Sequence, residues 1–248
     1  MIWLEPGAPL PDPESAWGPD DPVPGLLAAG GRLDVATLLD AYSHGVFPWF
    51  SDGQPILWWS PDPRMTLEPR RFRLHRSLRK TLAAFRTHPA CEIRIDHAFD
   101  RTILACAQAP REGQSGTWIV EPMIDAYRAL HRQGHAHSVE TWIDGELAGG
   151  LYCVAVGRAV FGESMFSRRA DASKIALAAL VCLCLQHEVD LIDCQQNTAH
   201  LASLGATEID RVRFLARVRI GVERPAFDWR FAPVYWNALL PERTPPPT

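Results

Sequence analysis

The sequence predicts an α+β fold, with a small N-terminal α+β domain (residues 1–66) ahead of a larger mixed-sheet domain (residues 67–248). Three observations point there. The runs His137–Trp142, Leu147–Val156 and Ala159–Met165 are joined by Ile143-Asp144-Gly145-Glu146 and by Gly157-Arg158, glycine-containing links that favour tight hairpins, so they read as an antiparallel meander. Ala172–Gln186 is almost wholly apolar, as a helix buried on all sides must be. Leu191-Ile192-Asp193-Cys194-Gln195 then reads as a short buried strand.

The elements can be justified in chain order. The segment to about Asp21 is proline-rich and irregular. Gly30-Gly31-Arg32-Leu33-Asp34 leads into a helix over Val35–Ser43, with Asp34 as its N-cap and His44-Gly45 as its stop. Phe47-Pro48-Trp49-Phe50, a turn at Asp52-Gly53 and Leu57-Trp58-Trp59-Ser60-Pro61 place three of the nine tryptophans within eleven residues. Most of such a cluster is core, which leaves one or two rings to stack a flat ligand such as a nucleobase. Pro61-Asp62-Pro63 marks the approach to the domain junction. Beyond it come a helix over His75–Phe85, a strand over Cys91–Asp96, a short helix over Asp100–Ala107 and a polar loop, Pro110–Gly116, ending at Thr117-Trp118-Ile119. Glu121-Pro122 opens a helix with proline in the first turn, where no amide donor is needed; Met123, Tyr127 and Leu130 share its apolar face and Gly134 stops it. The proline-rich tail from about Pro241 to Thr248 is expected to be disordered.

Composition excludes some classes. At 47% hydrophobic and 22% charged the chain is ordinary for a soluble globular protein. No run is long and apolar enough to span a bilayer, and the opening residues lack the basic and apolar regions of a signal peptide. The six cysteines lie mostly singly in apolar runs, as reduced thiols of a cytosolic protein do; Cys182 and Cys184 diverge by about 200° on their helix. His135 and His137 alternate on a strand, but no third ligand has suitable spacing, so neither a metal nor a cofactor is expected.

Net charge is −4, but seven of the 25 basic residues (Arg70, Arg71, Arg73, Arg76, Arg79, Lys80 and Arg86) fall between Arg70 and His88 without an acid. The remaining 18 face 29 acids elsewhere. This run is either a solvated helix face or the footprint of phosphate-backbone binding. Arg211, Arg213, Arg217 and Arg219 form a second basic run that would extend the patch.

The chemistry centres on the last strand. Alternation sends Asp193 and Gln195 to one face and Ile192 and Cys194 to the other. A carboxylate and a carboxamide on a core strand are costly unless hydrogen-bonded or used, so the pair is either a satisfied structural feature or an active-site floor. Glu163 likewise interrupts an apolar strand beside Gly162, where a ligand can approach the backbone.

Meander, core helix and strand together resemble the acetyl-CoA-dependent N-acetyltransferase fold. That fold holds the pyrophosphate of coenzyme A with a Gln or Arg, two further residues and a Gly-x-Gly or Gly-x-Ala run at a helix N-terminus. No Arg or Gln here begins such a run. A more specific resemblance covers about Gly25 to Phe214. Phe47-Pro48-Trp49-Phe50, Leu57-Trp58-Trp59-Ser60-Pro61-Asp62-Pro63-Arg64, Gly116-Thr117-Trp118-Ile119, Gly134-His135-Ala136-His137-Ser138-Val139-Glu140, Gly162-Glu163-Ser164-Met165-Phe166-Ser167 and Leu191-Ile192-Asp193-Cys194-Gln195 stand in the order and spacing of leucyl/phenylalanyl-tRNA–protein transferases. Gly25-Leu26-Leu27 and His200-Leu201-Ala202-Ser203-Leu204-Gly205-Ala206 fit the same pattern.

The resemblance implies a small N-terminal domain beside an acetyltransferase-like (GNAT-like) catalytic domain. It implies a cytoplasmic, monomeric enzyme of N-end rule degradation that takes aminoacyl-tRNA and protein, not DNA or a membrane, as partners. Such an enzyme moves Leu or Phe, and less readily Met, from aminoacyl-tRNA to the α-amine of a protein beginning with Arg or Lys. Gln195 would hold or relay the amine proton, with Asp193 polarising and orienting it and Glu163 fixing the donor aminoacyl group or the terminal adenosine. Trp49 and Trp118 match positions that contact the terminal adenosine. Gly162 and Ser164 flank Glu163, and Leu151, Met165 and Phe166 are candidates for the apolar pocket of the donor side chain. Arg70, Arg71, Arg73, Arg76, Arg79 and Lys80 would meet the tRNA backbone. Cys153 replaces the family's usual glycine, which either narrows donor choice or points into the core. Two rivals remain: an acetyl-CoA N-acyltransferase and a non-catalytic tRNA-binding protein.

Overall fold

The structure, a computed structural model, describes residues 1–109 and 119–241. The N-terminal part holds β1 (Ile2–Leu4), β2 (Leu26–Gly30), α1 (Val35–Ser43), β3 (Phe47–Pro48) and β4 (Leu57–Trp59), its strands forming a sheet in the order β1-β2-β4-β3. Asp34 caps α1, its Oδ1 accepting from the Thr37 amide at 2.8 Å. Two of the clustered tryptophans are core: Trp58 is fully buried and donates to Gly30 O, and Trp59 donates to Trp49 O at 2.7 Å. Trp49 is the half-buried one.

After Pro63 the chain enters β5 (Arg64–Leu67), which spans the 66/67 boundary and already pairs within a second sheet. Next in the chain are α2 (Arg76–Thr87), β6 (Cys91–Ile95), α3 (Phe99–Gln108), α4 (Glu121–Arg132), β7 (Ala136–Ile143), β8 (Glu146–Val156), β9 (Ala159–Ser167), α5 (Ala172–Gln186), β10 (Ile192–Gln195), α6 (Ala199–Ser203), β11 (Thr207–Ile209) and α7 (Arg211–Glu223). The sheet order is β11-β5-β10-β9-β8-β7-β6. Among the described strands of this sheet only β9 and β10 run parallel, as the α5 crossover requires. At the β7–β8 turn Asp144 and Gly145 both take positive φ, matching the hairpin's twist.

Each face of this sheet has its own core. On one side lies α5, joined by α2, which buries Leu78, Leu82 and Phe85 and leaves its basic residues in water. The outer side of α5 is covered by the short helical turn Pro233–Ala238 with its buried Trp236, which explains why α5 is apolar all round. On the other side α1, α3, α4 and α7 pack together with the N-terminal sheet.

Gly149 on β8 fixes how closely α5 rides on the sheet, because a Cβ there would stand 2.6 Å from Ala172 Cβ and 2.9 Å from its carbonyl carbon. Gly149→Ala is expected to destabilise the fold by about 1–3 kcal/mol, the usual cost of overpacking. Urea unfolding would register a lower midpoint at unchanged slope; an unshifted midpoint would mean that α5 can lift without cost.

Candidate active site

Two bulges build the site. Along β9, Tyr152 pairs with Ser164 and Cys153 with Gly162, so Glu163 is an extra residue. Along β10, Asp193 pairs with Thr66 and Gln195 with Met65, so Cys194 is extra. Bulges re-aim side chains where a regular ladder would not. Gln195 sits at φ 60°, in the left-handed region, which costs a residue with a Cβ on the order of 1–3 kcal/mol.

Asp193 is buried and held by Arg64, whose Nε donates to Oδ1 at 2.8 Å and whose Nη2 donates to Oδ2 at 2.6 Å. The Arg64 guanidinium lies between the rings of Phe47 and Phe214, 4.6 and 4.5 Å from their centroids. Asp193 Oδ1 also accepts from the main-chain amide of Gln195 at 2.8 Å. The carboxylate touching the Gln195 side chain is therefore not Asp193. Gln195 Nε2 donates instead to Glu163 Oε1 at 2.8 Å.

Glu163 also receives the hydroxyls of Tyr42, at 2.8 Å on Oε1, and Tyr127, at 3.1 Å on Oε2, and those two hydroxyls stand 2.6 Å apart. Three oxygen contacts cannot be filled by two hydroxyl protons. A proton on Glu163 supplies the third and closes a ring in which every contact has one donor. Consistent with this, burial pushes the Glu163 carboxyl up to about 7; Asp193 adds to the rise, and the Tyr42, Gln195 and Tyr127 hydrogen bonds oppose it.

Glu163 and Gln195 thus meet on the face of α1 and α4, and Asp193 joins them through Gln195's backbone. Ile192 and Cys194 face α5, as alternation requires. The apolar candidates divide. Leu151 pairs with Met165 on the α5 face, whereas Phe166 lies on the opposite face, so the three do not form one pocket. Gly162 lies close against β10, since a Cβ there would stand 3.2 Å from Asp193 O and 3.9 Å from Ile192 Cγ2. Met165 and Cys194 are partly exposed. Cys153 is fully buried toward α5 and points into the core. Trp118 lies outside the described residues, as do the loop Pro110–Gly116 before it and the tail from residue 242.

The basic run is exposed throughout. Arg71 pairs with Glu68, while Arg79 and Arg86 donate to the carbonyls of Leu239 and Leu240. Arg70, Arg73, Arg76 and Lys80 form no ion pair among the described residues and stay open to a polyanion. The second run does not simply extend this patch. Arg211 is buried and donates to the carbonyls of Pro13, Glu14 and Ala16, and Arg217 bonds Glu68. Three site residues escape sequence reasoning. Tyr42 carries no mark on its helix and Tyr127 reads as core on an amphipathic one; Arg64, heading a strand that is otherwise Met-Thr-Leu, carries the usable signal of an unexplained buried charge.

The family model for leucyl/phenylalanyl-tRNA protein transferase matches residues 66–219, and that for the N-terminal domain of the same transferases matches residues 31–62. The leucyl/phenylalanyl-tRNA–protein transferase of Polaromonas sp. is 60% identical over 98% of this chain and 95% of its own length. Those of Albidiferax ferrireducens and Leptothrix cholodnii are 60% and 59% identical, over 97% and 96% of this chain and 94% and 93% of their own. Among solved structures, a GCN5-related N-acetyltransferase from Kribbella flavida aligns over 68% of this chain and 58% of its own at TM-score 0.34 and 11% identity. L-PGS from Bacillus licheniformis aligns over 69% and 53% at TM-score 0.37 and 9% identity. Likenesses that loose bear no weight.

Burial makes Glu163 titrate well above its unfolded value of 4.5, against the pull of its hydrogen bonds. Because the fold binds this proton more tightly than the unfolded chain, its stabilisation is whole below about pH 4.5 and is lost as pH rises through about 7. Carboxyl carbon NMR should place the midpoint near 7, and Tyr42→Phe, which removes a donor to the carboxylate, should raise it. A midpoint near 4.5 would mean that the carboxyl is not buried away from water.

Proposed function

The chain belongs to the leucyl/phenylalanyl-tRNA–protein transferase family, and from that premise we propose that it moves Leu or Phe, and less readily Met, onto proteins beginning with Arg or Lys. The product would enter N-end rule degradation in the cytoplasm. The protein is an aminoacyl-tRNA–protein transferase; the narrower substrate rule is our reading.

The observation that carries the reading is Gln195, held at positive φ with its amide nitrogen spent on Glu163. Its carbonyl oxygen is then left to accept a hydrogen from an incoming α-amine. The donor is an activated ester, so the demanding tasks are presenting a neutral amine and steadying the tetrahedral intermediate. The amine nitrogen attacks the ester carbonyl, the new C–N bond forms, the bond to the ribose oxygen breaks, and the amine proton ends on that oxygen. A carboxamide is a poor base, so Gln195 orients the amine, while Glu163, titrating near neutrality, can exchange the proton through the Gln195 contact. Asp193 fixes the Gln195 backbone from behind. Positioning of this kind accounts for much of what such a reaction needs.

The donor side chain would lie against the apolar surface of Met165 and Leu151 on the α5 face. Methionine adapts to Leu and Phe alike. Trp49 and Trp118 would stack the terminal adenosine, worth on the order of 1–3 kcal/mol per base. Arg70, Arg73, Arg76 and Lys80 lead the group that would take the tRNA backbone. The absent pyrophosphate loop disfavours coenzyme A as donor.

Mixing the protein with Phe-tRNA or Leu-tRNA and a peptide beginning with Arg should add the mass of one Phe or Leu residue, and a peptide beginning with Ala should gain nothing. Gln195→Ala should abolish most of the gain while tRNA binding persists. Intact folded protein that binds tRNA yet transfers nothing would favour a binding role instead.

A further inference from the structure

A groove of about 790 Å³ runs between the N-terminal proline-rich segment, the C-terminal end of α1 and one side of α7. Ligand clefts generally span about 300–1,000 Å³. Leu10, Leu215 and Val222 line it with apolar surface. Its rim is acidic, with Asp12, Glu14, Asp40 and Glu223 all exposed against Arg219 and His44, the latter 3.4 Å from Asp40. The wall is rigid: buried Arg211 donates through Nη1 to the carbonyls of Pro13 and Glu14 at 3.2 Å and of Ala16 at 2.9 Å. A wall held in this way loses little freedom when a chain binds to it.

Both helices that frame the groove also touch the active site. On α1, Tyr42 bonds Glu163 while its neighbours Ser43 and His44 line the groove. On α7, Phe214 stacks on Arg64 while Leu215 lines the groove. Site and groove therefore lie about one helix diameter apart, roughly 10–12 Å. An extended chain crosses that distance in about three or four residues.

We propose that this groove binds the acceptor protein's own chain just behind its N-terminal residue, as an extended segment carrying basic side chains. The inference rests on the transferase reading above. Two macromolecules must be held at once, and one of them is a polyanion. An acidic rim repels tRNA and attracts a basic peptide. The open arginines of α2 lie with the α5 face, whereas the groove belongs to the opposite face with α1 and α7. Charge thus draws the tRNA backbone and the acceptor chain to different faces of the sheet, while the terminal adenosine reaches Trp49 on the face of α1.

The test uses three acceptors that share an N-terminal Arg: a peptide Lys-rich at positions three to six, one Glu-rich there, and an Arg-Ala dipeptide too short to reach the groove. The unaltered protein should show a KM lower by the order of tenfold for the Lys-rich peptide. Combining Glu14→Lys, Asp40→Lys and Glu223→Lys should invert that order while dipeptide transfer and the KM for aminoacyl-tRNA hold steady. Equal KM values for the two long peptides in the unaltered protein would overturn the inference even if the triple variant failed to fold. Dipeptide transfer without any charge preference would overturn the groove alone. No transfer to any acceptor would overturn the transferase reading and this inference with it.

Discussion

Arg64 carries its charge fully out of solvent contact and pairs there with the carboxylate of Asp193. Burying two ions costs several kcal/mol each, and good geometry only roughly offsets it. The offset here is a two-pronged contact at 2.8 and 2.6 Å and two aromatic faces against the guanidinium. Even so, Arg64 Nη1 has no partner among the described residues. Net stability is thus a weak explanation for the pair, since well-packed apolar residues would do about as well. Placement explains it better. Phe47 belongs to the N-terminal sheet, Arg64 to β5, Asp193 to β10 and Phe214 to α7, so one guanidinium sets four elements against one another. The same carboxylate holds the amide of Gln195 in a backbone conformation it would otherwise leave.

Glu163 differs from Asp193 in kind. Its partners are two phenols and a carboxamide, all neutral, so burial dominates and the carboxyl rises toward 7. Two carboxyl groups on neighbouring strands are thereby given different environments, one facing a fixed cation and one facing neutral donors. Separation of that kind usually divides labour between a fixed charge and a group that exchanges protons. In the proposed transfer it leaves Asp193 as scaffold and Glu163 as the proton-exchanging partner of Gln195.

Regular periodicity makes the frame legible in the sequence. The limits of α5 coincide with its apolar run, Asp34 caps α1 as its position suggests, and the meander forms where the glycine links place it. Alternation also assigns Asp193 and Gln195 to one face. It cannot assign their partners, because one extra residue at Glu163 and another at Cys194 rotate the residues beyond them, and neither insertion leaves a mark on a two-residue pattern. Tyr42 and Tyr127 are hidden for another reason: a phenol on a helix's apolar face looks like core until a carboxyl is found against it. Arg211 misleads in the opposite sense, an arginine in a basic run that folding turns inward to tie down Pro13 to Ala16.

The bulges also govern how two substrates can meet. β9 and β10 pair at Ile192 with Val160 and at Asp193 with Phe161, and no later pair forms before β10 ends at Gln195. Beyond that point Gly162 contributes no side chain, and Cys194 turns toward α5 while Glu163 and Gln195 turn the other way. Backbone pairing between the two strands therefore ends at Asp193, and beyond it the Gln195–Glu163 side-chain bond joins them on the face of α1. In the proposed transfer the donor side chain lies on the α5 face while its ester carbon meets an amine steadied by Gln195 on the face of α1. On that reading the donor side chain and the acceptor do not compete for one surface.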